Sequence, residues 1–223
     1  MRCFIHLKTN MRNYQDILHW TKEEILDEVK DIQYLYGLSD VIRYGINRDE
    51  TLKTQSVAEH SLLGIFLAKY FLKIEKSLLD VDPLRVYEMI MFHDAAEIET
   101  GDIVSYKKNK ELMRDEVEMF GVVKDKSPEN IGEDIREYLQ EYEDQSTLES
   151  RFVKAIDKLE PSFYMFSEEG KTMLVQGMKF TREQFEYCRK REDDYIKQFP
   201  IMRKFHTCIS EELEKGMYFV DYE

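Results

Sequence analysis

Four residues along the chain are of the types that hold a divalent cation: His60, His93, Asp94 and Asp157. Two imidazoles and two carboxylates suit a mid-hard ion such as Mn, Co, Ni, Fe or Zn. The chemistry in question is metal binding, and an ion so held lowers the pKa of water in its shell. Each residue also has an ordinary reading on its own. His60, in "SVAEHS" (56–61), follows Val57 and Ala58 and precedes Leu62 and Leu63, which suits a packed core histidine. His93 could interact with the dipole at a helix C-terminus. Asp157, in "FVKAIDKLE", could pair with Lys154 or Lys158 as a surface acid. The stretch "MIMFHDAAE" (89–97) sharpens the choice, because His, Asp and Glu stand directly behind an apolar run. Charged groups buried without partners are costly, so something must pair with them unless they reach solvent. Neighbouring helical residues point about 100° apart, yet a cation between those directions is within reach of both His93 and Asp94. Taken together, the four residues favour a shared cation.

The elements that must position these side chains read as helices. Nine glycines and four prolines in 223 residues leave little turn chemistry. Thr21 to Tyr36 places Ile25, Val29, Ile32 and Tyr36 on one face, with Thr21 and Glu24 as a capping box and Gly37 as a stop. Residues 39–54 read as a loop. A second helix is expected from about Ser56 to Lys73, carrying His60. A third begins near Pro83, carries Val86, Ile90, Met91 and His93, and ends around Glu99, before the Thr100-Gly101-Asp102 turn. Further helices are expected at roughly 107–120, 130–142, 147–166, 181–198 and 201–215, with Pro128, Pro161 and Pro200 bounding or kinking some of them. No period-2 strand and no internal repeat is visible. The expectation is a single compact all-α domain over 21–223, preceded by an N-terminal extension over 1–20. "MRCFIHLKTN" is unlike the acidic remainder, and Met11 offers a second plausible start.

Composition narrows the function. The net charge of −13 repels polyanions, which argues against a nucleic-acid polymer as partner. A small phosphorylated molecule remains compatible, because a local metal reverses the sign of the field. Cys3, Cys188 and Cys208 form no C-x-x-C pair and fit free thiols in a reducing, cytoplasmic setting. The apolar stretch Leu62 to Leu72 is too short to cross a bilayer, so no membrane partner is expected. His6, His19 and His206 match no ligand spacing, and no P-loop, G-x-G-x-x-G or G-x-S-x-G occurs.

Three extended segments occur in order: "SVAEHS", "FHDAAEIETGD" (92–102) and "LESRFVKAIDKLE" (148–160). In their H…HD…D pattern the chain resembles the HD-domain metal-dependent phosphohydrolases. Over roughly residues 35 to 165 it is similar to their small 5′-deoxynucleotidase branch. The resemblance implies a helical HD domain with one divalent ion (Mn, Co, Fe, Ni, Zn or Mg) on His60, His93, Asp94 and Asp157. It implies that Glu97 positions or deprotonates the attacking water and that Asp102 serves substrate binding and catalysis. It also implies an arginine on the phosphate, for which Arg43 and Arg48 are both candidates. Tyr44 stands where the deoxynucleotidase pattern carries Trp against the sugar, which puts deoxyribose selectivity in question. Glu97 lies three residues after Asp94, so on a continuous helix the two share a face. The implied reaction takes a (deoxy)nucleoside 5′-monophosphate to nucleoside and phosphate. The alternatives are a triphosphate, cyclic nucleotide or alarmone as substrate, a non-catalytic nucleotide-sensing module, or a plain helical interaction protein. A homodimer is expected by analogy with small HD proteins.

Overall fold

The computed structural model describes residues 19–45, 48–49, 52–104, 106 and 110–216. The possible starts at Met1 and Met11, and all but the last two residues of the expected extension, lie outside that range. Ten α-helices occur among the described residues: α1 (Lys22–Tyr34), α2 (Val57–Ile74), α3 (Pro83–Phe92), α4 (Glu97–Thr100), α5 (Lys110–Lys126), α6 (Glu129–Asp144), α7 (Leu148–Met165), α8 (Glu168–Thr172), α9 (Arg182–Ile196) and α10 (Pro200–Lys215). No strand occurs among them, and one isolated antiparallel bridge joins Ile42 to Ser56. The fold is all-α.

The helix starts follow from local chemistry. Thr21 and Glu24 form a reciprocal capping box on α1, and Ser56 and Glu59 form another on α2. Asp82 accepts the Leu84 N–H at 2.9 Å, and Pro83 occupies the first turn of α3. Pro161 lies inside α7 without ending it.

The core forms where α2, α3 and α7 meet, joined by α10. Phe71, Met89, Ile90, Phe152, Ile156 and Leu159 are at most 2% exposed within it. Gly64 permits the close approach of α2, since a Cβ there would stand 3.3 Å from Ile90 Cγ2 and 3.6 Å from Ile156 Cγ2. His60 lies one turn earlier on the same helix face. The packing that needs Gly64 small therefore also aims His60 between α3 and α7.

Two expectations need correction. The third helix does not run to Glu99; it ends at Phe92. Ala95 N–H turns to Phe92 O at 2.9 Å and Glu97 N–H to Asp94 O at 2.9 Å, both three residues back. Ala95 and Ala96 are 0% and 1% exposed, plugged into a second cluster with Phe120, Val123, Ile135 and Leu139 of α5 and α6. That burial pulls the chain out of the α3 axis and makes a turn of His93–Ala96. The apolar face of α1 is partly open to solvent, with Ile25, Val29 and Ile32 39–43% exposed. Helix α5 also runs beyond the expected end to Lys126, two residues before Pro128. No helix among the described residues is long and apolar enough to cross a membrane.

Candidate metal centre

His60 comes from the first turn of α2, His93 and Asp94 from the turn after α3, and Asp157 from the middle of α7. The structure brings all four together. His60 Nε2 is 3.3 Å from Asp157 Oδ1 and 3.8 Å from Asp94 Oδ2. His93 Nε2 is 3.2 Å from Asp94 Oδ2 and 3.8 Å from Asp157 Oδ1. Ligand atoms of His60, His93 and Asp94 all lie within 4.8 Å of one another, and Asp157 joins through the two imidazoles.

The opposite edges of the rings explain what belongs in the middle. His60 Nδ1 lies 2.6 Å from Glu160 Oε2, and His93 Nδ1 lies 2.8 Å from the carbonyl oxygen of Ile90. Both partners are acceptors, so both Nδ1 atoms carry a proton and both Nε2 atoms are left to hold a metal ion, or a proton in its stead. Neither buried Nε2 has a hydrogen-bond partner among the described residues. Lone pairs on nitrogen and carboxylate oxygen repel at these separations unless a cation or a proton stands between them. The donor set thus fits a divalent ion.

The electrostatics say the same. Burial opposes a charge on His93, yet Asp94 and Asp157 outweigh it and push its pKa up to about 10. Burial likewise opposes ionisation of Asp94, but His93 and His60 hold it well below the usual carboxylate range. The centre demands positive charge. Asp157 is further arranged by its other oxygen, which accepts the Tyr142 hydroxyl and faces Lys158 Nζ at 2.7 Å. Oδ2 is thereby occupied, and Oδ1 is left facing the imidazoles.

The remaining sequence candidates separate. Glu97, Asp102, Arg43 and Tyr44 line one cavity of about 220 Å³ with Asp94 and Asp157. Glu97 is 3% exposed at the start of α4. Burial works against the Arg43 charge, but Tyr44, Asp102, Asp94 and Glu160 hold it protonated, and its Nη1 is 3.7 Å from Asp94 Oδ2. Tyr44 adopts φ +68°, uncommon for a residue with a Cβ, and its N–H donates to Asp102 Oδ2 at 2.5 Å. Asp102 therefore fastens the Tyr44 turn to the loop after α4. Arg48 lies outside this cavity, bonded to Glu59 at 2.8 Å on the surface.

Glu160, Gln55 and Tyr142 were not singled out from the sequence. Glu160 had a usable signal, since it stands three residues after Asp157 on the same helix. It is 1% exposed and also accepts Gln55 Nε2 at 2.8 Å. Exchanging Glu160 for Gln is expected to weaken Mn binding about 10- to 100-fold, the usual effect of losing a ligand's outer partner. Titration calorimetry reads this directly, and unchanged affinity in a folded variant would remove the role.

Residues 37–198 match the family model of the HD domain. The chain belongs to the HD-domain family, the class of the metal-dependent phosphohydrolases. Among individual proteins, it is 34% identical over 131 residues to the 5′-deoxynucleotidase hdd1 of Schizosaccharomyces pombe. That match covers 53% of this chain and 61% of the yeast protein, so the chain spans under two thirds of that relative's length. In fold it resembles a predicted metal-dependent phosphohydrolase from Magnetospirillum magnetotacticum, with TM-score 0.69, 19% identity and coverage of 88% of this chain and 98% of that one. The PH0347 protein of Pyrococcus horikoshii is similar at TM-score 0.53 and 16% identity, over 82% and 98% of the two chains.

Proposed function

We propose that the protein hydrolyses (deoxy)nucleoside 5′-monophosphates to nucleoside and phosphate. One observation carries the reading: Asp94 and Asp157, the two acids of the cation-demanding cluster with His60 and His93, line one cavity with a buried acid, Glu97, and a buried cation, Arg43. A divalent ion held by the four side chains would supply charge neutralisation at the phosphoryl group and a more acidic water. Glu97 receives the proton of the attacking water. Arg43, already protonated and desolvated, offers charge-assisted hydrogen bonds to the phosphoryl oxygens. Tyr44 and Asp102 set the wall of the cavity beside Arg43. The similarity to a 5′-deoxynucleotidase supports the choice of a nucleoside monophosphate.

The test is a metal-stripped sample reloaded in turn with Mn, Co and Mg. It is offered deoxynucleoside and ribonucleoside monophosphates, triphosphates and cyclic nucleotides. Phosphate release from monophosphates is expected to vanish on stripping and to return with at least one ion. Release confined to triphosphates or cyclic species would move the substrate; tight binding without turnover would favour a sensing module.

A homodimer belongs to the same reading. Leu62, Phe66, Tyr70 and Ile74 recur every four residues along α2 and are 36–60% exposed. Such a stripe on a helix surface marks an association face. Sedimentation should give a dimer mass, and Phe66→Glu should shift it to monomer; a monomeric parent protein would end the idea.

A further inference from the structure

Asp157 meets the metal centre with one oxygen and the rest of the protein with the other. Oδ1 is the atom 3.3 Å from His60 Nε2 and 3.8 Å from His93 Nε2. Oδ2 accepts the Tyr142 hydroxyl and stands 2.7 Å from Lys158 Nζ. Asp157 is only 6% exposed, so these two donors rather than bulk water satisfy Oδ2.

Tyr142 is itself built into place. It comes from α6, which carries none of the four ligand residues, and it is 4% exposed. Its ring meets the His93 ring edge to face, with centroids 5.2 Å apart and planes at 66°. Lys154 Nζ lies 3.8 Å from the Tyr142 ring centroid, and the same ammonium is anchored on Glu143 at 3.0 Å. A ring packed on one ligand and capped by a cation has little freedom to withdraw its hydroxyl from another.

A carboxylate can grip an ion through one oxygen or through both. Ca²⁺ gathers many oxygen ligands in a flexible shell and accepts either mode, whereas smaller divalent ions keep a compact octahedral shell. Two imidazoles already disfavour Ca²⁺. A carboxylate with one oxygen engaged elsewhere disfavours it further, because the second contact is denied.

We propose that Tyr142, seconded by Lys158, is a positioning residue that holds Asp157 to a single-oxygen contact and thereby sets the preference of the centre for Mn²⁺ over Ca²⁺. Both residues act on the ion through Asp157. The inference rests on the four-residue metal centre and does not depend on which phosphate ester is cleaved.

The test is ion competition without substrate. Protein loaded with Mn²⁺ is titrated with Ca²⁺, and the released Mn²⁺ is followed by its electron paramagnetic resonance signal. In the double variant Tyr142→Phe, Lys158→Met, the ratio of Ca²⁺ to Mn²⁺ affinity should rise about tenfold, the scale on which outer partners tune a metal site. Each single variant should move part of the way in the same direction. Phe keeps the ring against His93 and removes only the hydroxyl. Lys158→Met, at a side chain 23% exposed, tests the clamp without touching that ring. A variant that merely loosened the fold would weaken both ions together and leave the ratio unmoved. An unmoved ratio, or one that shifts toward Mn²⁺, would overturn the clamp while leaving the monophosphatase reading intact. A parent protein that binds no Mn²⁺ would remove the metal centre, and the clamp with it.

Discussion

Asp94→Ala is expected to yield a folded protein that retains no stoichiometric divalent ion after dialysis and releases phosphate on the order of 10³-fold more slowly. The same Asp94 oxygen approaches both imidazoles and the Arg43 guanidinium. Removing it deletes one ligand and much of the negative charge that attracts the ion. Losing the ion forfeits several kcal/mol of transition-state stabilisation, and about 4 kcal/mol corresponds to that rate factor. Folding should survive, because Asp94 lies in the turn after α3 while the burial of Ala95 and Ala96 anchors that turn. Elemental analysis beside a phosphate-release assay checks both halves. Wild-type turnover in this variant would withdraw Asp94 from the metal centre.

Glu97→Gln is expected to keep the ion and lose about 10²- to 10⁴-fold in kcat, the range of a general base. The amide matches the carboxylate in size, so the packing of this 3% exposed side chain is preserved. What disappears is its ability to accept a proton and remain a donor-free partner for water. The pairing with Asp94→Ala is diagnostic, since one variant loses metal and rate together and the other loses rate alone. A fall of less than tenfold would leave Glu97 a positioning group.

Much of this was legible in the sequence because it depends on local chemistry. The capping box at Thr21 and the proline at 83 were readable as helix starts, and each of those helices is present. The residues that meet at the centre could be nominated by type, since His and Asp have few reasons to stand beside buried helix faces. The rest depended on packing. Whether the chain continued as a helix past Phe92 was decided by Ala95 and Ala96 finding a cluster made by α5 and α6. Arg43 and Arg48 are chemically equal in sequence; the left-handed backbone at Tyr44 and its bond to Asp102 separate their surroundings. Tyr142 precedes Asp157 by fifteen residues on another helix, and only the crossing of α6 and α7 brings its hydroxyl there. The exposed face of α1 shows the reverse: a regular apolar period states that a helix has a sticky side, without saying what lies against it.

The hydrogen bonds that His60 donates to Glu160 and His93 donates to the Ile90 carbonyl have a practical consequence. They are made by the polypeptide itself and turn both Nε2 atoms toward the centre. A set of two imidazoles and two carboxylates would accept several first-row ions, with affinity among them following the Irving–Williams order rather than cellular usefulness. Loading would then depend on supply as well as on that order. Preparations from media of different trace composition would differ in specific activity while sharing one polypeptide, and a catalytic constant for this protein acquires meaning only beside an assay of the ion it carries.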